Sequence, residues 1–404
     1  MANSATATHM VGHAPQNGGV PMHLVLLCNE YPPASHGGIG SFTQTMARAL
    51  AKRGHKVTVV GFYHRRKTVR EHDHGVAVVR LAHARLRGSG LILNRKRLAR
   101  ELARINAESP IDIIEGAENS LALVPKLASA AKIIRMHGGH HFFFTTLGKK
   151  PRLWRSWLEK QSFRNADHLC GVSQYVAETT RELLDLGERP IEVLHNPVNV
   201  ELFRPRPDVA EERGLIVFVG TVCEKKGVRQ LVEAMPEIVA AVPHARLCLA
   251  GRDGRDPRTG QSFIEQLRAG MPAAIAAQIE FRGQLEHALV PDLLARAEVL
   301  AYPSHMEAIG IALIEGLAAG KGLVIGNTGP AREVVEHGVS GLLCDPFSPA
   351  SIANAVIMLL KDQSLRRKLG EEARRRAVDL FSLDIVVQRN EMFYRRCLGR
   401  ETHE

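Results

Sequence analysis

Short, uniformly apolar runs recur along this chain, and longer stretches with helical spacing lie between them. "HLVLLCN" (23–29), "KVTVVGF", "VAVVRL", "IDIIEG", "AKIIRMHG" and "ADHLCGVS" form one such series. Behind the first comes a glycine turn, "HGGIG" (36–40), and then "SFTQTMARALAKRGH" (41–55). That segment carries Phe42, Met46, Ala49 and Leu50 at helical intervals, with Gly54 as a stop. Strands this uniformly apolar must be covered on both faces, so the alternation predicts a parallel sheet sandwiched by helices.

The rhythm breaks at "NPVNVELFRPRPDVAEERG" (196–214), rich in proline and charge, and then restarts with "LIVFVG" (215–220) and the helix "VRQLVEAMPEIVAAV". "ARLCLAG", "IEFRG", "VLAYPS", "GLVIG" and "GLLCD" continue the second series. The expected class is α/β, with two Rossmann-like doubly wound domains in tandem. We place them at 21–198 and 215–380, with a linker at 199–214. An amphipathic segment, "FSLDIVVQRNEMFYRRCL" (381–398), lies beyond the second. Such domains bind ligands at the carboxyl ends of their strands, so a cleft between the two is the expected site.

With 404 residues and 45% hydrophobic content the chain can bury two cores. Its formal net charge of +11 favours a negatively charged partner: phosphate, nucleic acid or an anionic membrane surface. No basic motif interleaved with aromatics supports nucleic acid. Six scattered cysteines, mostly in apolar runs and without a CxxC pair, read as buried free thiols in a reducing compartment. The polar N-terminus (1–20) lacks a signal peptide's apolar core and reads as a disordered tail. No apolar run is long enough to span a bilayer, so a soluble or peripheral cytoplasmic protein is expected.

Three places could carry chemistry. "GGIG" (37–40) follows a strand and opens a helix, whose free N–H groups suit an anion, although a tight turn needing small residues explains it equally. The loop "VGTVCEKKGV" (219–228) puts Lys225 and Lys226 near a helix start, where a cation is disfavoured unless an anion binds there; a solvated lysine pair is the alternative. "SHMEAIGIALIEGLAAGKGLVIG" (304–326) holds Glu307 and Glu315, eight positions apart, with no cation between them. Glu307 falls just before a helix that begins near Gly310, and Glu315 lies about a turn and a half in. A buried carboxylate is costly unless strong donors reach it, and sugar hydroxyls are such donors. A helix-capping acid plus an exposed glutamate is the plainer account.

These pieces together resemble the family 4 glycosyltransferases of the GT-B fold, whose donor site carries a Glu-x7-Glu motif; here it stands as "MEAIGIALIEGLAAGKGLVIG". "NEYPPASHGGIGSFTQTMARALAKRGHKVTVV", "ADHLCGVSQYVAE", "VLHNPVNVELFRP", "VGTVCEKKGV" and "TGPAREVVEHGVSGLLCDP" follow the family order, over roughly residues 23–398. The resemblance implies a configuration-retaining transferase that uses a nucleoside-diphosphate sugar and needs no metal or other cofactor. By family pattern Lys226 would neutralise the leaving diphosphate, Glu307 would hold the transferred sugar, and Glu315 the ribose. The amides of Gly310 and Ile311 would meet the distal phosphate, His137 in "IIRMHGG" would stand beside the sugar, and Gly38 would line the floor under the donor. Residues 381–400 would cross back onto the first domain, the two domains facing across a cleft. Thr221 stands where the family usually has an arginine, five positions before the lysine; Arg252 in "AGRDGRD" is a candidate substitute. Ile309 and Gly322 replace a usual aromatic and a common proline.

The acceptor is expected to be a glycan, a lipid-linked sugar or a small molecule. Two other classes fit the same residues: a catalytically silent partner protein, and a GT-B enzyme of another reaction, such as a sugar-nucleotide epimerase. "HGGHHFFFTT" (137–146) offers adjacent histidines that diverge on an extended chain, so no metal site is expected there. The basic run "LNRKRLARELARIN" (93–106) places Leu98, Leu102 and Ile105 on one helical face opposite arginines. It reads either as a solvated surface helix or as a peripheral contact with the anionic inner face of a membrane.

Overall fold

In the first half of the chain the apolar runs become β1 (His23–Leu27), β2 (Lys56–Tyr63), β4 (Val76–Ala82), β5 (Ile113–Gly116) and β6 (Ala131–Met136), with β3 (Val69–Asp73) inserted before β4. They form a sheet in the order β3-β4-β2-β1-β5-β6. Every pair is parallel except β3 with β4. That antiparallel edge departs from the uniformly parallel sheet expected. Its sequence, "VREHD", alternates exposed and half-buried positions because an edge strand is covered on fewer sides. Two short strands, β7 (His168–Gly171) and β8 (Ile191–Val193), follow.

This computed structural model describes residues 20–400, apart from 35–36, 85–89, 126, 128, 147, 149, 151 and 257–258. The expected tail, Val20 excepted, lies outside the described residues. The chain divides into two compact units: one of residues 1–135, 152–169 and 391–404, the other of 136–151 and 170–390.

The second unit holds β9 (Leu215–Val219), β10 (Arg246–Ala250), β11 (Ile279–Gly283), β12 (Val299–Tyr302), β13 (Gly322–Gly326) and β14 (Leu342–Cys344). Their order is β11-β10-β9-β12-β13-β14, with all pairs parallel. The order reverses direction beside β9 and β12, the place where open parallel sheets gather ligands at their carboxyl ends.

The helix Leu383–Cys397 covers most of the amphipathic segment anticipated at 381–398, and from Glu391 onward it belongs to the first unit. Buried polar groups tie it there. Glu391 accepts from Arg53 Nη1 and from His55 Nε2, each at 2.9 Å, while Met22 N donates to His55 Nδ1 at 3.0 Å. An Nδ1 that accepts leaves Nε2 as the nitrogen that donates to Glu391. Burial works against the Glu391 charge, but the hydrogen bond from His55 and the nearby Arg53 hold its carboxyl below the ordinary range. Deeper in, Tyr394 donates to Glu115 at 2.9 Å, and Arg135, wholly buried, grips the same carboxylate through two nitrogens at 2.7 and 3.0 Å.

The basic helix Gly90–Glu108 turns its leucine stripe inward. Leu98, Leu102 and Ile105 are buried, so its apolar stripe faces its own unit, and Arg97 Nη1 donates to the carbonyl of Ala82. Its arginine-rich side is a surface face. The "RLRG" run before it lies outside the described residues.

Glu115→Ala removes the carboxylate that the buried Arg135 guanidinium grips, and losing one partner of a buried pair costs about 3–5 kcal/mol. Urea unfolding should show a lower midpoint with little change in slope, and Tyr394→Phe, which removes only a neutral donor, should cost far less.

Candidate functional site

The turn after β9 is shaped by close backbone approaches. Gly227 has φ 67°, and a Cβ there would stand 1.8 Å from the carbonyl oxygen of Pro303, just past β12. Only a residue without a side chain permits both the left-handed conformation and that contact. Gly251, after β10, lies as close to the carbonyl of Gly220. These contacts draw the carboxyl ends of β9, β10 and β12 together.

Lys226 closes a single 3-10 turn (Glu224–Lys226) directly before Gly227 and the helix Val228–Ala241. Its ammonium donates to Glu307 Oε1, and Ser304 Oγ donates to the same oxygen at 3.1 Å. Both partners are only partly exposed, about a fifth to a quarter of each side chain. The loop bearing Glu307 is pinned on three sides: His305 N donates to Lys225 O at 3.0 Å, Thr328 Oγ1 to Ser304 O at 2.8 Å, and Ser173 Oγ to Ala308 O at 2.9 Å.

Gly310 caps the helix Ile311–Ala318, and the first amides of any such helix have no intrahelical acceptor. Lys226, Glu307, Gly310 and Ile311 line one pocket together with Gly220 and Ser304. The pocket therefore gathers a cation, a carboxylate and a positive helix end at one strand terminus. Thr221 is next to Gly220, and its hydroxyl accepts from Arg252 Nε at 3.2 Å.

Glu315 is buried within the same helix, and it has found a protein partner: His287 Nε2, at 2.7 Å. That imidazole is largely exposed, and the hydrogen bond to the carboxylate, outweighing desolvation, raises its pKa. Tyr302 sits beside them under Gly316; burial, with the Glu315 charge adding, pushes its phenol well up, and its hydroxyl has no hydrogen-bond partner. At Glu307 and Glu315 alike the donors fall on Oε1, and among the described residues Oε2 of neither acid is engaged.

His137 is half-buried immediately after β6. It precedes Gly138, whose added Cβ would meet Phe143 at 2.9 Å, and Lys225 Nζ lies 5.2 Å from the centre of that same ring. The aromatic cluster is thus joined to the lysine next to Lys226. Gly38 belongs to the first unit, where it opens the helix Gly38–Lys52. The amide of Gly40 there donates to Glu30 Oε1 at 2.7 Å, so a carboxylate already faces that helix end.

Two family models match the chain: "Glycosyl transferases group 1" over residues 199–376 and "Glycosyltransferase Family 4" over residues 36–202. The chain belongs to the family 4 glycosyltransferases. This family 4 member is 26% identical to a glycogen synthase of Mycobacterium tuberculosis, over 92% of this chain and 94% of that protein. It is also 26% identical to the GDP-mannose-dependent alpha-(1-6)-phosphatidylinositol monomannoside mannosyltransferase of the same organism, over 87% and 92% of the two chains. Sucrose-phosphate synthase from Thermosynechococcus elongatus superposes with a TM-score of 0.78 at 20% identity, over 94% of this chain and all of the other. Anabaena HepE, solved with UDP, gives 0.70 at 18%, over 92% and 98%. The two parallel-sheet units are those of the GT-B fold, as the resemblance implied.

Sequence patterns carried no sign of His287, Ser304 or Ser173 as partners of this glycosyltransferase's acidic loop and helix. His287 and Ser173 reach it from segments whose nearness only the fold creates, whereas Ser304 stands three residues before Glu307 in the same loop.

The His287–Glu315 pair gives a pH signature. A raised histidine pKa contributes stability that is complete below the unfolded value, about 6.5, and fades as pH rises through the folded value. The melting-temperature gap between the parent protein and His287→Ala should therefore be widest in mildly acidic buffer and close in alkaline buffer. A gap that widens toward alkaline pH contradicts the pairing.

Proposed function

We propose that this glycosyltransferase moves a sugar from a nucleoside-diphosphate sugar to a glycan, lipid-linked or small-molecule acceptor, with retention of configuration and without a required metal. The observation that carries this is Lys226 and Glu307 in one pocket with the amide end of the Ile311–Ala318 helix. An ammonium and helix amides suit a diphosphate, and a carboxylate beside them suits sugar hydroxyls. The relatives named for nucleotide-sugar chemistry, and the likeness to a fold solved with UDP, support the same class.

In this mechanism the bond from the anomeric carbon to the phosphate oxygen breaks while the acceptor oxygen bonds to the same face. The acceptor's proton passes to the departing phosphate oxygen. Charge grows on the diphosphate as the ring gains oxocarbenium character, so preorganised positive groups contribute more than an acid–base pair would. Without donor, Lys226 pairs with Glu307; as the diphosphate arrives, the lysine turns to it and Glu307 is released to the sugar hydroxyls. Glu315 exchanges His287 for the ribose hydroxyls, or shares itself between them. His137 stands beside the transferred sugar, and Gly38 lies under the donor. Arg252, held at Thr221, supplies the second diphosphate cation that the family arginine gives elsewhere.

Glu307→Ala and Lys226→Ala should each lower donor hydrolysis by at least a hundredfold, about 2.7 kcal/mol of transition-state stabilisation, with the fold intact by circular dichroism. Wild-type-like hydrolysis in either variant overturns the proposal. Arg252→Ala should raise the KM for donor about tenfold, with Arg252→Lys recovering part of it, since one charge-assisted contact is worth about 1.5–3 kcal/mol. An unchanged KM removes Arg252 from the site and leaves the lysine–glutamate arrangement standing.

A further inference from the structure

The chain's only two tryptophans, Trp154 and Trp157, lie on one helix of the first unit, Leu153–Asn165, and both are more than half exposed, at 59% and 56%. Leu153, at the helix start, is 89% exposed. Large apolar side chains rarely stand out together in this way without a partner. Leu153, Trp157, Lys160 and Arg164 follow each other along one stripe at helical spacing, with Trp154 at its flank. The opposite side, Glu159, Ser162 and Phe163, is buried. The stripe is therefore not the helix's packing face.

Its charges are one-sided. Arg152, Arg155, Lys160 and Arg164 are all exposed, whereas the one acid of the helix, Glu159, is 1% exposed. Arg155 lies 5.9 Å from the Trp154 ring, and Lys160 and Arg164 have no acidic partner among the described residues. Indole rings and leucine at a helix start, with unpaired cations one and two turns further on, match the layering of a bilayer surface: acyl boundary below, anionic headgroups above. A protein partner of the same chemistry would bring carboxylates, but it would not need three bulky apolar groups standing more than half exposed beside them.

The helix is also firmly mounted. Ser162 Oγ accepts from Leu121 N at 2.9 Å, and Asn165 Nδ2 donates to Leu121 O at 3.0 Å, which fixes it to the 3-10 turn Ser120–Leu123. The basic helix Gly90–Glu108 packs on that same turn and exposes Leu91 and Ile92 near its own start, with Arg95 and Lys96 exposed after them. Two helices on one rigid turn thus repeat the same order of apolar start and cationic continuation. Among the described residues no helix is long and apolar enough to cross a membrane.

We infer that the Leu153–Asn165 helix docks the protein on the surface of an anionic bilayer, with Leu153, Trp154 and Trp157 entering the acyl boundary and Lys160 and Arg164 facing the headgroups. This gives the lipid-linked acceptor of the proposed function a physical route to the enzyme and rests on that reading for its purpose, but the binding itself is testable without any transferase activity.

The two tryptophans make the test direct. Vesicles of phosphatidylcholine with phosphatidylglycerol should shift the full-length protein's tryptophan emission to the blue and pellet with it. Pure phosphatidylcholine should do so far less, and added salt should weaken binding to the anionic vesicles. Leu153→Glu keeps both reporters and should lose most of the shift, with at least a tenfold fall in pelleted protein; Lys160→Glu with Arg164→Glu should do the same. Donor hydrolysis in solution should be unchanged in these variants, which separates failure here from failure of the transferase reading. Absence of any shift or pelleting with anionic vesicles overturns the inference. So does pelleting indifferent to Leu153→Glu, or a blue shift that appears without lipid as protein concentration rises, which would make the face a contact between copies of this chain.

Discussion

Burying a carboxylate beside a sheet terminus without its being neutralised is the problem around which the second unit is built. A lone charge in such a place costs several kcal/mol, and hydrogen-bond donors must be brought from elsewhere in the chain. Glu307 has Lys226 and Ser304, and Glu315 has His287. Lys226 can reach Glu307 only because Gly227 lets the loop after β9 lie against the Pro303 carbonyl, and Gly251 meets Gly220 in the same manner. The backbone contacts come first, and the charge pair depends on them. A side chain at either glycine would part the strand ends and leave a cation and an anion separately exposed to the cost of desolvation.

This arrangement holds both acids through one oxygen each. The protein donors fall on Oε1 of Glu307 and of Glu315, and among the described residues Oε2 of neither is engaged. The partners are of the exchangeable kind. An ammonium on a flexible stem and a largely exposed imidazole can both turn to solvent at little cost, whereas a buried bidentate arginine could not. The first unit shows the contrast. Arg135 and Glu115 are locked by two hydrogen bonds with Tyr394 as a third, a wholly buried assembly with nothing to exchange.

Much of the framework was legible because it repeats. Buried parallel strands need continuous apolar runs, and the two series of them, broken by a proline-rich stretch, announce two doubly wound units. The spacing of Glu307 and Glu315 likewise placed one acid before a helix and the other inside it. The edge strand "VREHD" escaped notice because a strand covered on fewer sides needs no apolar run. The helix over 90–108 was ambiguous for a related reason: an apolar stripe opposite arginines has the same pattern whether it faces a core or a lipid, and only burial of Leu98, Leu102 and Ile105 separates the two. Departures from the family pattern became interpretable only in space. Gly322 stands where an added Cβ would meet the aliphatic stem of Arg366 at 2.7 Å, and that arginine crosses it to reach Glu298 at 2.9 Å. A proline ring would obstruct the crossing.

Thr221 poses the sharper case, because under the proposed function a cation missing from the diphosphate's place alters the field there unless another takes its place. The strand order puts β10 next to β9, so the residue two past the end of β10 is the natural neighbour of the residue two past the end of β9. Those residues are Arg252 and Thr221, and the guanidinium donates to the hydroxyl. A guanidinium reaching in from the adjacent strand is anchored by a neutral oxygen rather than by an acid, so its charge is not spent on a protein carboxylate. A threonine is suited to that purpose. It fixes the direction of the fork through one nitrogen and leaves the remaining donors for an anion, which an aspartate at 221 would have neutralised.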